Sequence, residues 1–359
     1  MLVINGSINV IKVGTSEQQQ SVTLIDSEKI NLVNNGILNI FDRIDYFIGD
    51  NKIDSIRKPG VATTMKGLVS FKPNKTNNLA GWNMYENSSS LINDKGFFSI
   101  VIPFSMIMGF FEDYKKFLYR IPQKLIFYRS TAAPNDCFQS RENNYEVKLK
   151  LQEIIWRIPQ VKFSIAYETQ VRKEILKSTN YEMFFRHWLY QSISPPRGAT
   201  EFTWDVPVSY SKTKYILLGF HKDRFDKLAI DNSKFDFLDL ENVQVLLNNN
   251  IYYPRERLNL KISENKCGNL YEMFKSFKQS YYDPNDESEP MVDYNSFLKS
   301  YPIVVIDCSH QPSVIKESLI NIKIMFNWRA PIPDNTSIHC VMIMDHKAVY
   351  NPLNNRVLH

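Results

Sequence analysis

FFSIVIPFSMIMGFFEDYKKFLYRIPQKLIFYRS, residues 97–130, is the stretch that decides the fold. Its first fifteen residues, 97–111, carry no charge, and four charged side chains then follow within residues 112–116. A stretch of this kind suits a membrane anchor, a catalytic helix, or two core strands joined by a charged connection. These alternatives correspond to a membrane protein, an enzyme and a β-rich structural protein.

The membrane alternative fails on length. A helix needs about 20 apolar residues to cross a bilayer, whereas this run has fifteen and contains Pro103 and Gly109. The N-terminal sequence MLVINGSINVIKVGTSEQQQ has neither a basic region nor a continuous apolar segment. We therefore expect no transmembrane segment and no signal peptide.

The composition is that of a large, aromatic-rich globular chain. At 359 residues it has room for two domains or one large unit. Aromatic residues reach 13% and Gly is low at 12, which favours strands over phosphate-binding loops. The net charge of +5 permits contact with nucleic acid without requiring it. The four cysteines lie far apart, which is typical of buried thiols in a reducing compartment.

Alternation of apolar and polar residues recurs along the chain, as expected for antiparallel strands with one buried face. The segments with this pattern are Tyr145–Leu151, Val161–Tyr167 and Ile320–Trp328. Turn sequences separate such runs, and they occur at 34–36, 247–250, 331–335 and 345–347.

Helical spacing is rarer. Residues 269–282 place Leu270, Phe274, Phe277 and Tyr281 on one helical face. A second candidate helix spans residues 169–189, with apolar residues such as Val171, Met183 and Trp188.

The segment SISPPRGATEF, residues 192–202, interrupts all periodicity and divides the chain. We predict an N-terminal sandwich over residues 1–197 and a C-terminal sandwich over residues 198–359. Sixteen strands of about 6 residues would leave about 16 residues for each connection. The chain thus has room for two eight-stranded sandwiches, and the predicted class is all-β, two tandem jelly rolls with short helical insertions.

Sequence signatures of catalysis are absent. The chain has no GxSxG, GxxxxGK[ST], GxGxxG or HExxH motif and no CxxC pair. Carboxylates that could form a glycosidase pair occur in two groups, and solvated strand faces explain them better. These groups are Asp42, Asp45, Asp50 and Asp54, and Asp236, Asp239 and Glu241.

Cys308, His310, His339 and Cys340 are the best candidates for a tetrahedral zinc site. Adjacent residues of a strand point to opposite faces, so His339 and Cys340 would need a bulge to share one metal. Cys340 instead shares a face with apolar residues, which predicts buried thiols with histidines at the rim. Cys308 and His310 could also act as a nucleophile and base, but nothing nearby orients the histidine. We predict no catalytic, cofactor-binding or metal-binding residues.

Two small basic clusters could contact nucleic acid through phosphate pairing and aromatic stacking. They are Arg57 with Lys58, and Arg255, Arg257 and Lys261 beside Tyr252 and Tyr253. Solubilising surface charge explains them better.

The chain resembles double jelly-roll major capsid proteins, in particular those of insect viruses and endogenous virus-like elements related to Polintons and adintoviruses. The blocks that carry this resemblance span nearly the whole chain. They are IDSIRKPGVATTMKG (53–67), AGW (80–82), the opening stretch, IIWRIPQVKFS (154–164), VVIDCSHQ (304–311) and MIMDHKAVYNP (342–352).

This resemblance implies a structural protein without enzymatic activity. It implies pseudo-hexameric homotrimers that tile an icosahedral viral or virus-like shell. It further implies a minor or penton capsid protein as partner, non-specific contact with packaged DNA, and assembly inside the host cell into a virion.

Two other functions stay open on the residues alone. Trp82, Trp188 and Trp204, together with Trp328, could stack on sugars in a carbohydrate-binding or attachment protein. The dispersed carboxylates could serve a β-rich hydrolase.

For the opening stretch we expect a strand near Phe97–Pro103 and a short helical or looped connection near Ser105–Tyr119. The charges of residues 112–116 should face water. A second strand should follow at Gln123–Arg129, covered on both faces because it is apolar on both.

Overall fold

The computed structural model describes most of the chain, in segments separated by short gaps. These segments are residues 1–12, 20–22, 30–72, 79–82, 91–119, 121–132, 134–140, 145–177, 180–207, 213–248, 250–286, 288–310, 321–351 and 356–358.

Strands dominate the described residues. In chain order they are β1 (Leu2–Lys12), β2 (Gln20–Val22), β3 (Ile30–Leu32), β4 (Phe41–Ile48), β5 (Asn51–Arg57), β6 (Phe97–Ile102), β7 (Gln123–Arg129), β8 (Phe138–Ser140), β9 (Tyr145–Trp156), β10 (Tyr181–Ile193), β11 (Glu201–Val206), β12 (Thr213–Lys222), β13 (Leu240–Leu247), β14 (Asn250–Tyr253), β15 (Val304–Asp307), β16 (Ile322–Trp328), β17 (Thr336–Asn351) and β18 (Arg356–Leu358). The α-helices are α1 (Pro59–Ser70), α2 (Gly109–Asp113), α3 (Ile165–Leu176), α4 (Gly268–Tyr281) and α5 (Tyr294–Ser300).

The second half forms a sandwich of two four-stranded layers. One layer has the order β10-β17-β12-β15, with the short β18 added to β17, and the other has the order β11-β16-β13-β14. Every pair in both layers is antiparallel. Phe220 of β12 meets Phe326 of β16 with ring centroids 5.8 Å apart, so side chains of the two layers interlock in the core.

The first half repeats this plan with fewer strands. One layer is β9-β1-β6, with β2 alongside β1, and the other is β7-β4-β5. The short strands β3 and β8 form a separate ribbon. Tyr46 of β4 contacts Trp156 of β9 edge-on at 6.3 Å, which again joins two layers. The chain is therefore all-β with two tandem jelly-roll sandwiches, as predicted, but the described first sandwich has fewer than the expected eight long strands.

The opening stretch folds largely as predicted. Its two strands are β6 and β7, and the connection carries α2. The expectation that the charges face water is correct for Lys115 and Lys116, which are exposed. It is wrong for Glu112 and Asp113, whose side chains are only 12% and 15% exposed and pair with the buried Lys66 and the partly buried Arg186.

The expectation that β7 is covered on both faces is wrong for the described chain. Leu125, Ile126 and Phe127 are only half-buried, and Tyr128 is 38% exposed. β7 is more exposed than expected because it is the outer strand of its layer and pairs with β4 alone among the described strands.

Helix predictions succeeded where one face is apolar. The predicted helix at 269–282 is α4, with Leu270, Phe274, Phe277 and Tyr281 buried. The candidate at 169–189 is wrong in its second half, because residues from Tyr181 onward form β10. There Met183 and Phe185 face inward while Phe184 is 60% exposed, which is strand alternation.

Two strand or turn predictions are wrong. The segment Val161–Tyr167 contains no strand, and α3 begins at Ile165 after Ser164, whose hydroxyl accepts a hydrogen bond from the Tyr167 N–H. The turn predicted at 345–347 lies inside β17, which continues without interruption from Thr336 to Asn351.

The predicted domain boundary between residues 197 and 198 falls within the second sandwich. β10 precedes that point, yet it pairs with β17 over thirteen positions, from Tyr181–Tyr350 to Ile193–Ile338. We therefore propose an earlier boundary, between α3 and β10.

Two glycines at the first residue of a helix test the packing. A Cβ on Gly109 of α2 would lie 1.5 Å from the carbonyl oxygen of Arg186, whereas a Cβ on Gly268 of α4 would meet nothing within 4 Å. We expect Gly109→Ala to lower the free energy of unfolding by about 1–3 kcal/mol, because the added methyl group overpacks the contact. Gly268→Ala should be neutral or stabilising by up to about 1 kcal/mol. Urea denaturation of both variants checks this, and equal midpoints for the two would contradict the close approach of α2 to β10.

Candidate functional site

Helix α1 lies between the two sandwiches. It contacts β4 and β5 of the first sandwich, and β12, β17 and α4 of the second. All twelve of its residues are buried. Pro59 at its first turn fixes a backbone angle that suits a helix start and needs no N–H partner. The helix is therefore a shared core element, and its one charged side chain, Lys66, is buried with it.

Lys66 is held by polar groups from both halves of the chain. Its ammonium donates to Ser70 Oγ at 2.8 Å and to the Tyr282 hydroxyl at 2.9 Å, and it pairs with Glu112 Oε1 at 3.3 Å. Burial lowers the pKa of Lys66 to about 8, and the nearby Glu112 carboxylate offsets part of that effect.

Aromatic rings surround the same ammonium. The Tyr281 centroid is 4.0 Å from Lys66 Nζ, and the Trp188 and Tyr282 centroids are each 4.9 Å away. Ring faces attract a cation, and the attraction strengthens where water is excluded. Tyr281 and Tyr282 also donate their hydroxyl protons to Glu112, so both charges have partners. Burial, followed by the Glu112 charge, raises the pKa of Tyr281, which keeps its hydroxyl protonated as a donor.

A second ion pair extends the cluster to β10. Arg186 binds Asp113 of α2 through two guanidinium nitrogens. Nε donates to Oδ2 at 2.9 Å, and Nη2 donates to Oδ1. The guanidinium also lies 3.5 Å from the Tyr281 ring centroid and donates to the Tyr281 carbonyl at 2.7 Å. A bidentate pair of this kind fixes orientation as well as distance. We refer to Lys66, Glu112, Asp113, Arg186, Tyr281 and Tyr282 as the junction cluster.

Asp54 ties β5 to the same region. Its Oδ1 lies 2.7 Å from His187 Nδ1 of β10, and its Oδ2 accepts from the Phe110 N–H at 3.0 Å. Asp54 is 3% exposed, and both oxygens of this buried carboxylate have partners, as buried polar groups require.

Most of the other carboxylates noted in the sequence form ion pairs with lysine or arginine side chains. Asp42 pairs with Lys58, and Asp45 with Arg43. Asp236 binds Arg224 through both oxygens, and Glu241 pairs with Arg329. These pairings explain the carboxylates as ion pairs, which are exposed at Asp42, partly buried at Asp236 and Glu241, and buried at Asp45.

The zinc candidates are not brought together as a metal site. Cys308, Cys340 and His339 are buried, whereas His310 is exposed. No group of three or more potential metal ligands occurs among the described residues. Buried thiols were predicted correctly, but His339 is in the core and not at the rim. Its Nδ1 lies 2.6 Å from the Tyr190 hydroxyl, and burial lowers the pKa of His339 to about 3.

Arg57 and Lys58 lie beside an open groove of about 630 Å³ that Arg43 and Arg129 also line. Arg255 and Arg257, from the other basic cluster, are exposed. This placement suits solubilising charge and leaves phosphate contact open as a proposal.

The tryptophans proposed for sugar stacking point into the core. Trp82, Trp188, Trp204 and Trp328 are each at most 4% exposed. None of these four rings presents a face to solvent, so the observation that motivated a carbohydrate-binding function is lost.

Among the described helices, none is long and apolar enough to cross a membrane.

A family model described as a double jelly roll-like domain matches residues 30–349. The chain belongs to the double jelly roll-like domain family. No curated protein sequence matches the chain.

Solved structures similar to this double jelly roll-like chain include a virus capsid, a virophage and a viral major capsid protein. The PBCV-1 virus capsid model matches at TM-score 0.54 and 10% identity, over 100% of this chain and 89% of that one. The Sputnik virophage structure matches at TM-score 0.51 and 10% identity, over 99% and 81%. The Faustovirus major capsid protein matches at TM-score 0.52 and 8% identity, over 98% and 84%. At these identities the likeness is one of fold.

Sequence reasoning missed the junction cluster. Lys66 stands in the segment 53–67, which carried the family resemblance, but we predicted no buried helix there. The available signal was Pro59 followed by small and apolar residues on every side, a pattern typical of a fully buried helix.

The ion pair at the centre of the junction cluster can be tested by a double-mutant cycle. Glu112→Gln leaves the Lys66 ammonium buried without its counter-charge and should cost about 3–5 kcal/mol of unfolding free energy. Lys66→Met should also destabilise. The double variant should lose less than the sum of the single losses, by about 0.5–3 kcal/mol.

Tryptophan fluorescence during urea unfolding measures the four free energies. Lys116→Met, at an exposed position of the same connection, is the control and should change stability by less than about 0.5 kcal/mol. Additive losses in the double variant would show that Lys66 and Glu112 act independently.

Proposed function

We propose that this chain is a structural capsid subunit without enzymatic activity. The observation that carries the proposal is the pair of jelly-roll sandwiches joined through one buried helix. The same fold occurs in the Faustovirus major capsid protein, to which this chain is similar in structure. A shell subunit must resist deformation at its internal joints. The junction cluster supplies charge pairs and aromatic packing at the joint of this chain.

In the finer form of the proposal, three copies associate around a three-fold axis. Two sandwiches in each chain then give six around the axis, a pseudo-hexagonal block suited to tiling an icosahedral shell. Closed symmetry of this kind also lets copies cover one another's exposed apolar surface and sheet edges.

An exposed apolar surface on and before α3 supports self-association. α3 has no buried residue, and Ile165, Leu176 and Val161 are 86%, 72% and 62% exposed. Large apolar side chains that a single chain leaves in solvent suit burial against another copy.

The remaining parts of the proposal follow from the capsid role. The chain would assemble inside the host cell and reside in the virion. A minor or penton capsid protein would complete the shell. The groove lined by Arg43, Arg57, Lys58 and Arg129 is the candidate for non-specific contact with packaged DNA.

Light scattering coupled to size exclusion, with negative-stain microscopy, tests the assembly. We expect a mass three times that of one chain, or particles built from such units. The double variant Ile165→Glu, Leu176→Glu should shift the population to monomers. At a dilution where the wild-type chain is also monomeric, the two thermal midpoints should agree, because both side chains are already in water in the single chain.

Leu79→Glu provides the control, since Leu79 is 63% exposed but lies outside α3. It should leave the trimer intact. A wild-type chain that stays monomeric at high concentration would contradict the proposed function, and equal behaviour of the two variants would remove α3 from the interface.

A further inference from the structure

The two sandwiches follow one plan, which allows their layers to be compared strand by strand. In the second sandwich the hairpin β13–β14 is followed by α4 and α5 and then by the layer strand β15. In the first, the hairpin β4–β5 is followed by α1 and then by β6. Thus β9, β1 and β6 correspond to β17, β12 and β15, while β7, β4 and β5 correspond to β16, β13 and β14.

This correspondence leaves two positions of the first sandwich empty. In the second sandwich β10 pairs with the outer edge of β17, and β11 pairs with the outer edge of β16. Among the described residues of the first sandwich, no strand pairs with the corresponding edge of β9 or of β7.

Burial follows the same division. In β17 every residue from Ile338 to Met344 is buried, and most of β16 is buried. In β9 only Val147 is buried, and Ile154 is 38% exposed. In β7 no residue is fully buried. An open strand edge with apolar side chains is a ready template for pairing with a further strand.

We propose that one strand–turn–strand segment, covalently joined ahead of β1, completes the β9 and β7 edges of the first sandwich. The chain order of the second sandwich supports this occupant, because β10 and β11 directly precede β12, the counterpart of β1. The inference does not depend on the capsid function.

The start of β1 is built to receive such a connection. The Met1 nitrogen donates to the Arg157 carbonyl at 2.9 Å, and the Arg157 N–H donates to the Met1 carbonyl at 2.8 Å. A peptide N–H in place of the amine would make the same bond, so an extension keeps this pairing.

The chemistry of the occupant follows from β10 and β11. Both pair antiparallel with their neighbours, and in β11 Trp204 and Val206 are buried while Thr203 and Asp205 are not. The occupant should therefore carry two runs of alternating apolar residues with a short turn between them.

A selection experiment tests the proposal. A library of segments as long as residues 181–206, with apolar or polar residues at random, is joined ahead of Met1 of the full chain through a short Gly-Ser linker. Displayed variants are then selected for protease resistance at high dilution. We expect enrichment of two alternating runs separated by a turn.

Hydrogen exchange on the winners gives the second readout. The selected variants should show amide exchange in β7 and β9 that is slower by at least about tenfold than in the parent chain. Exchange in β16 and β17 should be unchanged. Ile154→Lys should reduce that protection in the winners, yet shift the thermal midpoint of the parent little, since Ile154 is partly in solvent there.

Three results would overturn the proposal. The first is enrichment without alternation, or winners that do not protect β7 and β9. The second is a dilute parent chain in which β7 and β9 are already as protected as β16 and β17. The third is protection in the parent that rises with its concentration, which would make a second copy of the chain the occupant.

Discussion

The burial of Lys66 between the two sandwiches is the constraint on which the rest of the structure depends. A buried ammonium is tolerated only with a counter-charge and hydrogen-bond acceptors in place. Its partners come from distant parts of the chain: Glu112 in α2, and Tyr281 and Tyr282 at the end of α4. Satisfying one charge therefore fixes α1, α2 and α4 relative to one another, and with them both sandwiches.

Other contacts across the joint are consistent with a fixed arrangement. Ser140 of β8 donates its N–H to the Leu228 carbonyl at 2.7 Å, and the Asp226 N–H donates to Asp136 at 2.7 Å. These bonds lie away from Lys66, so the two halves meet at more than one place. A hydrophobic joint alone would permit sliding, whereas charges and directional hydrogen bonds favour a single arrangement.

The sequence predicted elements whose burial is one-sided. α4 has an apolar stripe, and β6, β9 and β16 have alternating or continuous apolar faces. α1 escaped detection because burial on all sides leaves no stripe. The segment 161–167 alternates by coincidence, since its residues sit on and before an exposed helix where no packing enforces a period. Phe184 and Met183 fit both a helix and a strand, and only pairing with β17 decides between them. Tertiary partners, which no local pattern contains, likewise explain why Glu112 and Asp113 are largely shielded from solvent.

The central claim is that the two jelly rolls form one cooperative block held by the junction cluster. Differential scanning calorimetry of the wild-type chain tests it most directly. The account predicts a single transition whose calorimetric enthalpy equals the van't Hoff enthalpy. Two resolved transitions, each with about half of the total enthalpy, would mean that the sandwiches unfold independently and would contradict the claim.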